Sequence, residues 1–307
     1  MRILVTGATG FIGSHLVPLL VGMPETAVSI LALESFSNPD ISPLPPSLFA
    51  IRDQLHFVYA DLRNFRLTVR ALEEAAPDFV IHLAAVGMTD PFMGINTALR
   101  HNLNGTINLL RASFEKTRTT KQFIVARTSG ERSNMNVYAA SKSAAWNFCQ
   151  MFARTQKWPI HGAMIFQAYG PGQSERNLIP AAINAAIAGQ DFPMTAGTQE
   201  RDWIFVKDVA AGIAAMLNKP MPPGETVELG SGKPVSIADV VQRIYQLSAS
   251  LGQPRIGALP SRPGEEQRQF ANTEHSFNLT GWKTAVSLPT GLQTTIKKAR
   301  GESESES

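Results

Sequence analysis

RILVTGATGFIG, residues 2–13, joins a short apolar run to glycines at positions 7, 10 and 13. The run reads as a buried strand, and the amphipathic Ser14 to Val21 that follows reads as a helix. Glycines spaced Gly-x-x-Gly-x-x-Gly between the two let the chain turn tightly and let a pyrophosphate approach the backbone. The first N–H groups of the helix, with their partial positive charge, then face the phosphates. Gly7, Thr9, Gly10, Phe11, Ile12 and Gly13 are therefore candidate dinucleotide-binding residues.

Beyond this turn the same alternation continues. Val28 to Leu33, Leu55 to Ala60, Asp78 to Leu83, Gln122 to Ala126 and Ile160 to Phe166 read as further strands. Helical stretches at 65–76, Ile95 to Lys116 and Tyr138 to Gln156 separate them, and residues 35–50, with four prolines, read as a loop. Nearly continuous apolar strands alternating with helices predict a parallel sheet covered on both faces. The expected fold is α/β, a doubly wound parallel (Rossmann) sheet with a smaller C-terminal substrate-binding lobe. A dinucleotide domain is expected over residues 1–166 with 204–229 returning to it, the lobe over 167–203 and 230–300, and a disordered polar tail over 301–307 (GESESES).

Composition narrows the classes. With 44% hydrophobic and 17% charged residues among 307, the chain can bury a core, which excludes wholesale disorder. Its single cysteine, Cys149, excludes an intramolecular disulfide framework and a multi-cysteine metal site. The formal charge of +3 is spread along the chain, so nucleic acid is not the expected partner. No apolar run approaches the roughly 20 residues of a membrane span, and no leader is read at the start. A cytoplasmic protein is expected, with no metal.

Within this frame several side chains carry chemistry. Glu34, read as closing the second strand, can accept hydrogen bonds from an adenosine ribose, and no Lys or Arg stands between Ser35 and Ile51 to hold a 2′-phosphate. That favours NAD over NADP. Asp61, with Leu62 beside it, can meet an adenine amino group or serve as a turn cap. Tyr138 and Lys142, four residues apart, share one helix face. A neighbouring ammonium favours a phenolate, so this pair can move a proton. Thr128, just past the fifth strand, can donate a hydrogen bond to a carbonyl oxygen or oxyanion, with Ser129 as the alternative.

These residues resemble a known family, the extended short-chain dehydrogenase/reductases, and within it the NAD-dependent epimerase/dehydratase branch that modifies nucleotide sugars. The resemblance rests on TGATGFIG (6–13), YADL (59–62), IHLAA (81–85), HNLNGT (101–106), YAASK (138–142), AYGPGQ (168–173), NLIP (177–180), RDWIFVKDVA (201–210) and RPGE (262–265), in family order. It implies Tyr138 as the acid–base residue, Lys142 as its partner and Thr128 as the hydroxyl donor. It places Leu83, Ala84 and Ala85 along the dinucleotide and Asn102 near the active-site helix and the substrate. Asn177 and Leu178 would meet the substrate, and Arg201 and Arg262 would clamp its diphosphate. It implies a homodimer through helices 95–116 and 138–156, where Ala140, Ala144, Phe148 and Phe152 exceed what the sheet needs.

Two departures sharpen the expectation. Related dehydratases carry Thr-Asp-Glu after the fifth strand, whereas this chain reads Thr128-Ser129-Gly130-Glu131. The connection from Thr128 to Tyr138 is also shorter than is usual in the family, and Arg127 stands where relatives often carry Ser. The resulting expectation is an NAD(H)-dependent oxidoreductase at C4 of a nucleoside-diphosphate sugar, in particular a 4-keto-6-deoxyhexose reductase. The alternatives are a 4-epimerase with tightly bound NAD and, third, a non-catalytic redox-sensing or RNA-binding protein on the same scaffold.

Overall fold

A computed structural model of the chain describes residues 1–260 and 266–302. The strands are β1 (Arg2–Thr6), β2 (Ala27–Ala32), β3 (Leu55–Tyr59), β4 (Phe79–His82), β5 (Gln122–Thr128), β6 (Ile160–Ile165), β7 (Gln167–Tyr169), β8 (Phe192–Pro193), β9 (Glu200–Phe205), β10 (Thr226–Leu229), β11 (Pro234–Ser236), β12 (Pro254–Arg255) and β13 (Arg268–Gln269). The α-helices are α1 (Gly13–Val21), α2 (Pro46–Phe49), α3 (Phe65–Ala75), α4 (Ile95–Ala98), α5 (Gly105–Arg111), α6 (Val137–Thr155), α7 (Leu178–Ile187), α8 (Val206–Ala215), α9 (Ile237–Leu247), α10 (Thr273–Thr280) and α11 (Leu288–Ala299).

The chain divides into two compact units. The first holds Met1–Met164, Ala210–Val227 and His275–Trp282, the second Ile165–Val209, Glu228–Glu274 and Lys283–Ser307. A seven-stranded sheet runs in the order β10-β6-β5-β4-β1-β2-β3. The β1–β2, β2–β3, β1–β4 and β4–β5 ladders are parallel, which makes this the expected doubly wound α/β fold. Strand order reverses between β1 and β4, and ligands of such sheets bind at the carboxyl ends of the strands flanking that reversal. One face of the sheet buries Leu4, Leu72, Leu109, Phe123, Cys149 and Ile160 in a common core.

The second unit has its own core. Tyr169, Ile179, Ile183, Trp203, Val240, Ile244 and Leu292 pack together around a small sheet in which β9 lies between β11 and β13 and also pairs with β7. Asp202 on β9 is fully buried. It accepts hydrogen bonds from the N–H groups of Ser231, Gly232 and Ala271, so its charge is matched by convergent donors.

The elements differ from the sequence expectation in informative places. The proline-rich loop contains a helical turn, α2, with Pro46 in its first turn, where a missing N–H costs nothing. The expected helix Ile95 to Lys116 is interrupted by two π-helical segments, Leu99–Asn104 and Ala112–Thr117. Phe152, expected as surplus on the α6 surface, stacks on Trp158 at 4.5 Å and packs against the core of the first unit. Phe148 and Ala140 stay exposed.

Candidate active site

The glycine turn follows β1 at the point of strand reversal. Gly7 has φ +70°, the left-handed region that favours glycine. A Cβ there would stand 2.5 Å from the Ala84 nitrogen, and one on Gly13 would stand 2.4 Å from the Gly7 carbonyl oxygen. The turn after β1 and the loop after β4 thus touch backbone to backbone, with Leu83, Ala84 and Ala85 beside the glycines. No side chain caps the N-terminus of α1. Within the turn the Gly10 N–H donates to the Gly7 carbonyl at 3.1 Å and the Ser14 N–H to the Gly10 carbonyl at 2.9 Å, so the chain passes directly from the glycine turn into a helix N-terminus, whose partial positive charge favours an anion. These features suit a dinucleotide pyrophosphate.

The adenosine-side residues sit somewhat differently from expectation. β2 ends at Ala32, and Glu34 instead opens a 3₁₀ turn, Glu34–Ser37, with its side chain exposed. Asp61 is taken up by its neighbour. It accepts hydrogen bonds from the Arg63 backbone N–H at 2.9 Å and from the guanidinium Nε at 2.9 Å. The Arg63 hydrogen bonds hold its carboxyl below the usual range. The turn-forming alternative is the contact present. Leu62 has its carbonyl bonded by Asn108 at 2.8 Å.

On the other side of the reversal, Asn136 caps α6 by accepting the Ala139 N–H at 2.8 Å. Tyr138 and Lys142 follow in the first two turns, and Lys142 is buried. Burial pushes Tyr138 up to about 12, with the Glu131 carboxylate adding to the effect. Burial also holds the Lys142 ammonium below the usual lysine range, and Glu131 opposes that shift. Thr128 ends β5. Its Oγ1 accepts the Gly130 N–H at 3.3 Å, which leaves the hydroxyl proton for an outside acceptor. Ser129 opens the following 3₁₀ turn, Ser129–Arg132, and is buried.

Asn102, expected near the active-site helix and the substrate, is fully buried and bonded to that helix and to the loop after β4. Its Oδ1 accepts the Val86 N–H at 2.8 Å, and its Nδ2 donates to the Val86 carbonyl and the Ser141 hydroxyl, each at 2.9 Å. It braces the loop after β4 against α6. Ser141, which sequence reading missed, passes the bond on to the Tyr138 carbonyl at 2.8 Å. His82 is the second brace. Its ring lies between the hydroxyls of Thr6 (2.7 Å) and Thr106 (2.9 Å). Thr106 donates to the Asn102 carbonyl, so its oxygen accepts from His82 Nε2–H, and Nδ1 accepts from Thr6. Burial lowers His82 to about 3, keeping it neutral. The chain Thr6–His82–Thr106–Asn102–Ser141–Tyr138 ties the end of β1 to the helix that bears the tyrosine.

Asn177, Leu178, Arg201 and Arg262 are the remaining expected residues. Asn177 is the N-cap residue of α7 without a capping bond, and its Nδ2 donates to the Ser174 carbonyl at 3.1 Å. The Leu178 side chain packs against the core of the second unit. Arg201 is buried in β9 and donates from Nη1 to the Glu200 carbonyl at 2.9 Å. Arg262 lies outside the described residues. Among the described residues no group of three or more His, Cys, Asp or Glu side chains could hold a metal ion, and no helix is long and apolar enough to cross a membrane.

A doubly wound sheet, a glycine turn at its strand reversal and a Tyr–Lys pair one helical turn apart define a dinucleotide-dependent enzyme of the short-chain dehydrogenase/reductase class. Residues 3–230 match the model of the NAD dependent epimerase/dehydratase family, and the chain belongs to that family; NAD is its cofactor. It is 30% identical to a dTDP-glucose 4,6-dehydratase of Xanthomonas campestris over 95% of this chain and 91% of that protein. It is 28% identical to a Bacillus subtilis protein described as an uncharacterized UDP-glucose epimerase, over 96% of this chain and 97% of the other. A dTDP-glucose 4,6-dehydratase of Streptomyces venezuelae, solved with NAD bound, superposes with a TM-score of 0.83 at 25% identity, covering 98% of this chain and 97% of that one.

Proposed function

We propose that this enzyme acts at C4 of a nucleoside-diphosphate sugar, reducing a 4-keto-6-deoxyhexose with NADH. The relatives support the nucleotide-sugar class, since the proteins just named carry dTDP-glucose and UDP-glucose in their names. The turn after β5 carries the choice of reaction. Elimination of water across C5 and C6 needs an acid and a base besides the Tyr–Lys pair. At the two positions where dehydratases hold Asp-Glu this chain has Ser129 and Gly130. Glu131 is no substitute. Its Oε1 accepts the Thr128 N–H at 3.0 Å and its Oε2 accepts Arg127 Nε at 2.8 Å.

NADH, when bound, supplies the hydride. Tyr138 supplies the proton to the C4 oxygen, and it starts from the protonated form because burial and Glu131 both disfavour the phenolate. Lys142 stabilises the phenolate left behind and orients the nicotinamide ribose. The Thr128 hydroxyl donates to the same C4 oxygen and holds the ketone facing the phenol. Gly7, Gly10 and Gly13 admit the pyrophosphate, with Thr9, Phe11 and Ile12 presenting the helix N-terminus to it. Glu34 accepts from the adenosine ribose, Asp61 and Leu62 border the adenine, and Leu83 to Ala85 line the dinucleotide. In this reading the first unit binds NAD and the second binds substrate. Asn177, Arg201 and Arg262 hold the diphosphate, with Leu178 beside them.

The test is stoichiometry. With dTDP- or UDP-4-keto-6-deoxyglucose, one NADH should be consumed per sugar reduced. A second reading, a 4-epimerase, is favoured by the Bacillus subtilis relative and uses the same residues. Interconversion of UDP-glucose and UDP-galactose without added cofactor, and no NADH consumption with either keto sugar, would replace the first reading by the second.

A further inference from the structure

Arg127 stands at a position that sequence reading left without a role, and its surroundings are built for it. Its guanidinium lies over the Trp146 ring at 4.3 Å. Nη1 donates to the Thr226 hydroxyl at 2.9 Å, and Nε and Nη2 each reach Glu131 Oε2 at 2.8 Å. The side chain is 11% exposed and that of Glu131 only 2%. Gly162 on β6 completes the socket, since a Cβ there would stand 2.6 Å from Arg127 Cδ and 3.1 Å from the Trp146 ring. Residues from β5, the following turn, α6, β6 and β10 thus converge on one guanidinium.

A buried ion pair is rarely a net gain in stability over apolar packing, because both charges lose water. The use of this one shows in its other bonds. Glu131 Oε1 accepts the Thr128 N–H at 3.0 Å while Thr128 Oγ1 accepts the Gly130 N–H, a reciprocal cap that folds the turn back on the end of β5. The turn also lies against α6, where a Cβ on Gly130 would stand 3.5 Å from Ala139 Cβ, next to Tyr138.

We propose that Arg127 and Glu131 are positioning residues of the reaction: their ion pair locks Thr128 at the end of β5 and holds a fixed negative charge beside Tyr138. This rests on the assignment of Thr128 and Tyr138 to the chemistry. The titratable groups around it are Lys142 and Cys149 on α6, His82 on β4, and Arg127 and Glu131 themselves. His82 is neutral, and burial pushes Cys149 up to about 12, leaving it a thiol. The charge that acts on the phenol is that of Glu131, which together with burial disfavours the phenolate.

The test removes both charges together, so that neither is stranded. The Arg127→Ser/Glu131→Val double variant should fold and bind NAD as the wild type does. Tyr138 is one of four tyrosines, so its ionisation can be read in the NAD-loaded enzyme as an absorbance difference against the same protein carrying Tyr138→Phe. Its midpoint should fall by about one pH unit when the carboxylate is removed. With NADH and dTDP-4-keto-6-deoxyglucose, kcat should fall at least about tenfold with KM within about twofold. An unchanged midpoint and kcat, with only the melting temperature lowered, would overturn the proposal. If the double variant does not fold, Glu131→Gln keeps the shape, removes the charge and gives the same titration readout. If the wild type reduces neither keto sugar, the reductase reading fails on its own account, while the Tyr138 titration still decides this one.

Discussion

Two turns border the candidate site, and they are built in opposite ways. The turn after β1 is made of backbone and of missing side chains. At Gly7 two loops touch, and a Cβ there or on Gly13 would collide with backbone, while one on Gly10 would stand 3.2 Å from the Gly7 carbonyl oxygen. The turn after β5 is made of side chains. Glu131, Arg127, Trp146 and Thr226 hold it through charge, ring and hydroxyl, and Gly162 on β6 leaves room for Arg127. In the proposed reading the first turn serves the cofactor, a pyrophosphate against a helix end. In the same reading the second serves the choice of reaction, the placement of a hydroxyl and a charge around a reacting oxygen.

The contrast can be broken by substitution. Gly7→Ala should have the largest effect. A Cβ 2.5 Å from the Ala84 nitrogen, at φ +70°, forces the turn and the β4 loop apart. NAD binding by fluorescence titration should be lost and the protein destabilised; retained affinity would show that the turn is looser than its contacts suggest. Tyr138→Phe should follow, lowering kcat by about 10²–10⁴-fold with NAD affinity unchanged. A small loss in steady-state kinetics would remove the phenol from the mechanism. Arg127→Met, which strands the buried Glu131, should cost about 3–5 kcal/mol in urea unfolding, more than the double variant costs. If the single and double changes cost the same, the two residues are not coupled.

Smaller effects sharpen the comparison. His82 braces the first turn and stays neutral in the folded chain, where burial lowers it from 6.5 to about 3. The unfolded chain takes up this proton first as pH falls below 6.5. The stabilisation is therefore complete above that value and is lost toward pH 3, at about 1.4 kcal/mol per pH unit. His101 and His161 are also lowered, chiefly by burial, and add in the same direction. Urea midpoints at pH 7 and 5 should show a smaller difference in His82→Asn than in the wild type. The least effect on the site is expected from Phe148→Glu. If two copies pair through α6 and the helix preceding β5, where Phe148, Ile95 and Leu99 are exposed, the variant should sediment as a monomer and keep its NAD affinity. A wild-type monomer would dispose of that pairing.

The glycine turn was legible in the chain, because its signals are local. Three glycines within seven residues, after an apolar run and before a helix, announce a backbone requirement that no distant contact alters. Tyr138 and Lys142 were legible for the same reason, since helical periodicity alone puts them on one face. Asn102 was read only in part. Its place within a π-helical segment and its two bonds to Val86 depend on a loop 16 residues earlier, and nothing in HNLNGT announces that. Phe152 was misread, because an apolar residue on a helix says nothing of whether Trp158 will fold back onto it.

The sequence by itself determined the doubly wound sheet, the glycine turn and the Tyr–Lys pair, because strand and helix periods and the steric needs of glycine act over a few residues. Only the tertiary structure decided what Arg127 does. Glu131 is four residues away, but the partners at 146, 162 and 226 are far along the chain, and a buried charge is tolerated only where the whole fold brings its counter-charge and donors to one point.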